Sequence, residues 1–115
     1  MNELKQLQTK LQAFADERDW DKFHSPKNLA MALSGEVGEL VEHFQWLTEK
    51  QSLNLTVEQK EEVASEVADI MMYLLRFSDK VDINILDACE KKMSINEHKY
   101  PVSKSYGVST KYTKL

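Results

Sequence analysis

The chain has little of what several classes of protein require. Its 115 residues include one cysteine, two prolines and three glycines. A single cysteine cannot form an intramolecular disulfide, so we expect a reducing, cytoplasmic environment. So few prolines and glycines give too few turns for an all-β fold. No apolar run is long enough to span a bilayer and the N-terminus has no apolar signal core, so we expect no membrane partner.

Positive charge is also in short supply. Fifteen Lys and Arg residues stand against nineteen Asp and Glu residues, a formal net charge of −4 at pH 7. Binding to a nucleic-acid backbone needs clustered Lys and Arg, so no nucleic-acid partner is expected. A small anionic ligand is still compatible with this charge, because a divalent metal ion reverses the local sign.

Apolar residues recur at helical spacing in four stretches, which predicts an all-α four-helix bundle. The length suits a single domain, residues 1–115. The predicted helices cover, in chain order, about 4–14, 29–48, 56–77 and 82–100. Thr56, with Gln59 three residues on, is the predicted capping box of the third helix. Residues 101–115 are expected to form an irregular tail.

The second and third predicted helices are apolar over broad arcs. The flanking residues that widen these arcs are Val41, Trp46, Met71, Met72 and Leu75. We therefore expect a homodimer or homotetramer whose contacts cover this surface, although packing within one chain would also satisfy the pattern.

Two acidic pairs at i, i+3 are candidate metal ligands: Glu36 with Glu39, and Glu66 with Asp69. Other acidic pairs share this spacing, and a solvated helix face explains most of them. At about 100° per residue, however, Glu36 falls inside the apolar arc of its helix. A carboxylate there is costly unless it is paired or bound to a cation. If the two helices pack antiparallel, the four carboxylates meet in one groove; the alternative is that they merely border the core.

Four carboxylates without thiolates favour Mg²⁺, with Mn²⁺ as a substitute. Such a cluster suits a polyphosphate, whose oxygens complete the coordination of the metal. A di-iron site needs Glu-x-x-His motifs. The residues three before His43 and His98 are Leu40 and Ile95, so that chemistry is disfavoured.

Two further features are compatible with a ligand or with packing. Gly35 and Gly38 flank Glu36 on a predicted helix, which favours close approach of a ligand or of another backbone. Aromatic side chains of the connector, Trp20 above all, could stack on a nucleobase together with Trp46 and Tyr73. They could equally plug one end of the bundle.

Together these residues resemble the all-α NTP pyrophosphatase superfamily, which includes MazG, dimeric dUTPases and phosphoribosyl-ATP pyrophosphohydrolase. Glu36-x-x-Glu39, then 26 residues, then Glu66-x-x-Asp69 looks like its metal-binding signature. The dCTP pyrophosphatase branch is the nearer resemblance. The segments that carry it are Arg18-Asp19-Trp20, Phe23-His24-x-Pro26-x-Asn28-Leu29, Gly35-Glu36-Val37-Gly38-Glu39-Leu40, Phe44-Gln45-Trp46, Lys92-Met93-x-Ile95-Asn96, Tyr100-Pro101 and Lys111-Tyr112-Thr113.

The resemblance implies a Mg²⁺-dependent pyrophosphohydrolase that converts a dNTP, preferably dCTP-like, to dNMP and pyrophosphate and so cleans the nucleotide pool. It implies dimers or dimers of dimers. The metal ligands would be Glu36, Glu39, Glu66 and Asp69, with Glu36 or Glu39 the better candidates to orient or deprotonate the attacking water. The implied substrate-binding residues are Trp20, His24, Trp46, Tyr73, Lys92, Asn96, Lys111 and Tyr112.

Two other functions stay open at this point. The same fold could act on dUTP or phosphoribosyl-ATP, which a comparison of substrates would separate. The other is a non-enzymatic helical oligomerisation module, for which we expect Mg²⁺ to cause no shift in the melting temperature.

Overall fold

The computed structural model describes residues 2–115, and its regular structure throughout that range is helical. The helices are α1 (Glu3–Glu17), α2 (Pro26–Phe44), α3 (Glu49–Ser52), α4 (Val57–Lys80), α5 (Ile85–Lys99) and α6 (Val102–Ser105), with 3₁₀ turns at Asp21–Phe23 and Tyr112–Lys114. No β-strand occurs among residues 2–115. The all-α prediction is confirmed, and each of the four predicted long helices is present.

The chain forms two compact units, Met1–Asp82 and Ile83–Leu115. In the first unit α4 packs mainly along α2 and also against α1. Each of these three helices contributes one almost fully buried apolar side chain: Ala15, Leu29 and Leu75 are at most 1% exposed. The core of this unit therefore lies where α4 meets its two neighbours.

The second unit consists of α5 and the segment that follows it. The ring of Tyr112 meets Tyr100 edge-on, with 5.9 Å between centroids, and the Lys99 ammonium lies 4.6 Å from the Tyr112 centroid. These contacts bring residues near the C-terminus back to the end of α5. The predicted irregular tail thus contains one short helix, α6, and a 3₁₀ turn.

Side-chain caps define where the helices begin. The Thr56 hydroxyl accepts a hydrogen bond from Gln59 N at 3.1 Å, and Gln59 Oε1 accepts one from Thr56 N at 2.9 Å, so the predicted capping box is confirmed. A second capping box, Thr48 with Gln51, opens α3. Each satisfies two backbone donors that a helix start leaves unpaired.

Two predicted boundaries are wrong, for local backbone reasons. The second helix ends at Phe44 rather than near Thr48, because Gln45 is its C-cap. Leu47 N donates to Phe44 O in a turn, and Thr48 then takes the extended conformation of the next N-cap. The fourth long helix begins at Ile85 rather than near Asp82. Asp82 has a φ of 56°, which ends helical geometry, and the Asn84 side chain caps α5 instead.

No helix among residues 2–115 is both long and apolar enough to cross a bilayer.

The packing of α4 predicts a large effect of truncating Leu75, which is 0% exposed. We expect Leu75→Ala to lower the free energy of unfolding by about 2–5 kcal/mol, because it removes buried methyl groups and leaves a cavity. Leu75→Met, which conserves volume, should cost less than about 1.5 kcal/mol. Urea unfolding followed by circular dichroism measures both. Equal costs for the two variants would contradict a tightly packed core at this position.

Candidate metal centre and adjoining pocket

Carboxylates from α2 and α4 meet in one cluster. Glu36 and Glu39 come from α2 and Glu66 from α4, and one oxygen of each lies within 4.8 Å of the others. The two helices that supply them are the pair that packs most extensively in the first unit. Glu36 and Glu66 are half-buried, whereas Glu39 is exposed. The structure therefore brings together three of the four predicted acidic residues.

The cluster is short of positive charge and of hydrogen-bond donors. Burial is the main cause that raises the pKa of Glu36 from 4.5 to about 7, followed by a hydrogen bond with Glu39 and the charges of Glu39 and Asp69. Although both side chains are only half-buried, Glu36 Oε2 and Glu66 Oε2 are inaccessible and have no hydrogen-bond partner among the described residues. Buried acceptors of this kind need a donor or a cation. The donor set thus fits a hard divalent metal ion.

His43 borders the same cluster from α2. Its Nε2 lies 3.6 Å from Glu66 Oε1, and its Nδ1 lies 3.6 Å from Glu62 Oε2. Both distances are longer than a good hydrogen bond. His43 therefore flanks the carboxylates without satisfying the inaccessible oxygen of Glu66.

Asp69 belongs to a neighbouring cavity of about 300 Å³ in the first unit. The residues that line it are Leu11, Phe14, Ala15, Trp20, His24, Asp69, Met72, Tyr73 and Arg76. Since the charge of Asp69 contributes to the raised pKa of Glu36, Asp69 connects the cavity with the carboxylate cluster. The wall combines apolar and aromatic surface with a few polar groups, as small-molecule sites do.

A network of charged side chains fixes one wall of the cavity. The Arg76 side chain is 5% exposed and donates to Gln12 Oε1 at 2.6 Å and to Asp21 Oδ1 at 2.9 Å. Asp21 Oδ1 also accepts a hydrogen bond from Lys80 Nζ at 2.6 Å. The bonds from Lys80, Gln12 and Arg76 hold the pKa of Asp21 well below its usual range. Asp21 is therefore ionised and ties α1 and the connector to α4.

Trp20 is held at the cavity by its own neighbours in the sequence. Its ring meets Phe14 edge-on at 5.8 Å, and the Arg18 guanidinium lies 3.6 Å from the centre of the Phe14 ring. Trp20 remains 45% exposed. It therefore offers an aromatic face to a ligand while being fixed from one side.

The predicted site residues fall into three groups. Trp20, His24 and Tyr73 line the cavity together with Asp69. Trp46 is not among the described residues that line the cavity, and Trp46 is 86% exposed. The remaining four lie in the second unit and are exposed: Lys92, Asn96, Lys111 and Tyr112. Their roles stay predictions.

Sequence reasoning missed Arg76 and its partners Gln12 and Asp21, although it predicted a third partner, His24. A signal for Arg76 exists: Asp69, Tyr73 and Arg76 follow one another at i, i+4 and i+7, so they share one face of α4. Its acidic partner, Asp21, lies three residues before His24 in the connector.

The sequence left open whether Gly35 and Gly38 allow close approach of a ligand or of another backbone. A Cβ at Gly35 or Gly38 would meet nothing within 4 Å, so backbone packing inside the chain does not account for them.

The first unit is thus an all-α fold with a carboxylate cluster between two helices and an aromatic cavity beside it. Residues 31–115 match the model of the MazG-like family, and the chain belongs to that family. It is 41% identical over 104 residues to dCTP pyrophosphatase 1 of Rattus norvegicus, an alignment covering 89% of this chain and 61% of that protein. For dCTP pyrophosphatase 1 of Homo sapiens the identity is 40%, with the same coverage. The chain thus spans about three-fifths of the length of these curated relatives.

The fold of a solved structure supports the assignment to this family. The chain resembles the crystal structure of a pyrophosphatase from Archaeoglobus fulgidus with a TM-score of 0.82 and 41% sequence identity. The superposition covers 88% of this chain and 94% of that one.

The raised pKa of Glu36 predicts how the metal-free protein responds to pH. The folded chain holds a proton on Glu36 up to about pH 7, whereas a free side chain releases it near 4.5. Stability is therefore lost as the pH rises through this window, and the unfavourable charge is fully present above it. We expect Glu36→Gln to raise the melting temperature in EDTA by a few degrees at pH 8 and to change it little at pH 4.5.

The matched control is Glu42→Gln, an exposed glutamate on the same helix, which should change little at either pH. Thermal unfolding followed by circular dichroism gives the comparison. A Glu36→Gln variant no more stable than the wild type at pH 8 would contradict the electrostatic account of the cluster.

Proposed function

We propose that this chain is a Mg²⁺-dependent nucleoside triphosphate pyrophosphohydrolase, which converts a dNTP to dNMP and pyrophosphate and prefers a dCTP-like base. The observation that carries the proposal is the three-carboxylate cluster with two inaccessible, unpartnered oxygens beside an aromatic cavity. The names of the relatives, dCTP pyrophosphatase 1, support both the reaction and the base. Removal of surplus or modified deoxynucleotides in the cytoplasm is the biological role that we propose.

Glu36, Glu39, Glu66 and Asp69 would hold the metal. When bound there, Mg²⁺ would neutralise the charge of the triphosphate and supply a water of lowered pKa. Glu36 or Glu39 would orient that water, or take its proton on a carboxylate oxygen, for attack on the α-phosphorus. Glu39 is exposed at the edge of the cluster, which makes it accessible to a water that approaches from solvent.

The cavity would bind the base. Trp20 and Tyr73 offer aromatic faces, and stacking on such faces contributes roughly 1–3 kcal/mol per base. His24 adds a polar group to the same wall. Lys92 and Asn96 are the proposed contacts to phosphate or sugar, and Lys111 and Tyr112 are further proposed substrate-binding residues. For these four residues the support is the family resemblance of their segments.

We propose further that residues 1–115 work as one domain and assemble as a homodimer or homotetramer. Large apolar side chains left on the surface of the single chain support this: Trp46 is 86% exposed, Leu53 81%, Met31 64% and Val41 55%. A second copy would cover such surface and could bring Trp46 to a substrate. A mass of 13.3 kDa by light scattering, that of one chain, would contradict the assembly.

Product analysis after incubation with each dNTP and MgCl₂ tests the proposed reaction. We expect monophosphate and pyrophosphate, formed fastest from dCTP, and at least a roughly hundredfold loss of turnover in Glu39→Ala, because a metal ligand is removed. Glu42→Ala removes an exposed glutamate one turn away and should keep the wild-type rate. Anion-exchange chromatography separates the products.

Other outcomes point to specific alternatives. Diphosphate and orthophosphate would contradict the position of cleavage. Faster turnover of dUTP or phosphoribosyl-ATP would change the substrate and keep the reaction. No turnover of any of these, with no effect of Mg²⁺ on the melting temperature, would leave a helical oligomerisation module.

A further inference from the structure

Arg76 is a buried cation that touches a residue of the proposed base pocket. Its Nη2 lies 3.1 Å from His24 Nδ1 and 2.9 Å from Asp21 Oδ1. Its Nη1 donates to Gln12 Oε1 at 2.6 Å. Three partners on α1 and the connector thus fix the orientation of the guanidinium plane. Arg76 cannot turn away from His24 without breaking bonds to Asp21.

The chemistry of this contact determines where the proton of His24 lies. A guanidinium carries only hydrogen-bond donors and stays protonated in proteins. His24 Nδ1 must therefore accept the hydrogen bond from Arg76, and it cannot carry a proton itself. A neutral imidazole with a bare Nδ1 holds its single proton on Nε2. Burial and the charge of Arg76, which lower the pKa of His24, agree with a neutral ring.

The second ring nitrogen remains available. His24 is half-buried and lines the cavity, and its Nε2 has no hydrogen-bond partner among residues 2–115. Gln12 and Asp21 reach Arg76, and Lys80 reaches Asp21, without occupying that nitrogen. A ligand in the cavity would meet an N–H group there.

We propose that Arg76 is a positioning residue that holds His24 as the Nε2–H tautomer, so that His24 donates a hydrogen bond to an acceptor on the edge of the bound base. The identity of the ligand rests on the proposed function, whereas the tautomer does not. A pyrimidine oxygen or an unprotonated ring nitrogen, such as N3 of cytosine, meets this requirement. N3 of uracil or thymine carries a proton and would face the Nε2–H group as a second donor. All pyrimidines carry an acceptor oxygen, so Arg76 would contribute to base selection, without touching the base, where the Nε2–H group meets N3.

Nuclear magnetic resonance of the ligand-free chain, labelled with ¹⁵N at histidine, tests the tautomer directly. We expect His24 to show an unprotonated Nδ1 and a protonated Nε2 near neutral pH. In Arg76→Lys, provided that circular dichroism shows an intact fold, this preference should weaken. A protonated Nδ1 in the wild type, or an unchanged preference in folded Arg76→Lys, would overturn the proposal. The wild-type spectrum can overturn it even if the variant does not fold.

Two substitutions at His24 separate the donor from the contact with Arg76. Gln places an amide N–H near the position of Nε2, whereas Asn places its polar atoms near Nδ1. We expect His24→Gln to keep KM for dCTP within about threefold of the wild type and His24→Asn to raise it about tenfold or more, the cost of one lost hydrogen bond. The value of kcat should change less than KM in both variants.

Equal increases of KM in the two variants would overturn the role of the Nε2–H donor. If the wild type turns over no nucleotide, the proposed function fails, and the spectra of the ligand-free wild type and of Arg76→Lys still decide whether Arg76 sets the tautomer.

Discussion

The repulsion between carboxylates at the junction of α2 and α4 is the constraint that this structure must satisfy. Two unit charges 4.8 Å apart, the spacing within which the carboxylate oxygens lie, repel each other by about 3 kcal/mol at the effective dielectric of a protein surface. The helices cannot separate to relieve it, because Leu29 and Leu75 are buried in the core that joins them to the rest of the unit. Without a metal, a proton retained by Glu36 relieves part of the repulsion. A divalent cation would relieve it more completely and would also satisfy the unpartnered oxygens of Glu36 and Glu66.

One face of α4 organises both ends of the proposed site. Glu66, Asp69, Tyr73 and Arg76 follow at spacings of three, four and three residues, so they lie along one side of the helix. The acidic end belongs to the carboxylate cluster, and the basic end belongs to the network that holds His24 and Asp21. A triphosphate carries its negative charge at one end and its base at the other. With a divalent cation on the carboxylates, its charged end would lie there and its base toward Arg76. The lining of the cavity, which joins Asp69 to Arg76 through Tyr73, supports the same orientation.

Local patterns predicted the long helices and the acidic cluster, because both depend on helical periodicity. The capping box at Thr56 was predicted from its local Thr-x-x-Gln pattern. The short helix α3 was missed because four residues are too few to establish a period. The network around Arg76 joins residues 52 to 64 positions apart, and no local pattern contains such a contact. The place of Trp46 on the second helix was wrong, because α2 ends at Phe44, whereas its exposure in the single chain agrees with its predicted position beside the apolar arc.

The central claim is that the carboxylates between α2 and α4 form a divalent metal site, and direct measurement of metal binding tests it without reference to any substrate. Mn²⁺ is observed by electron paramagnetic resonance, and the signal of the free ion falls as the protein binds it. The account predicts at least one Mn²⁺ bound per chain, displaced by Mg²⁺ and lost in Glu66→Gln, with Glu58→Gln at the exposed start of α4 as the matched control. Mn²⁺ binding that is equally strong in Glu66→Gln and in the wild type would contradict it.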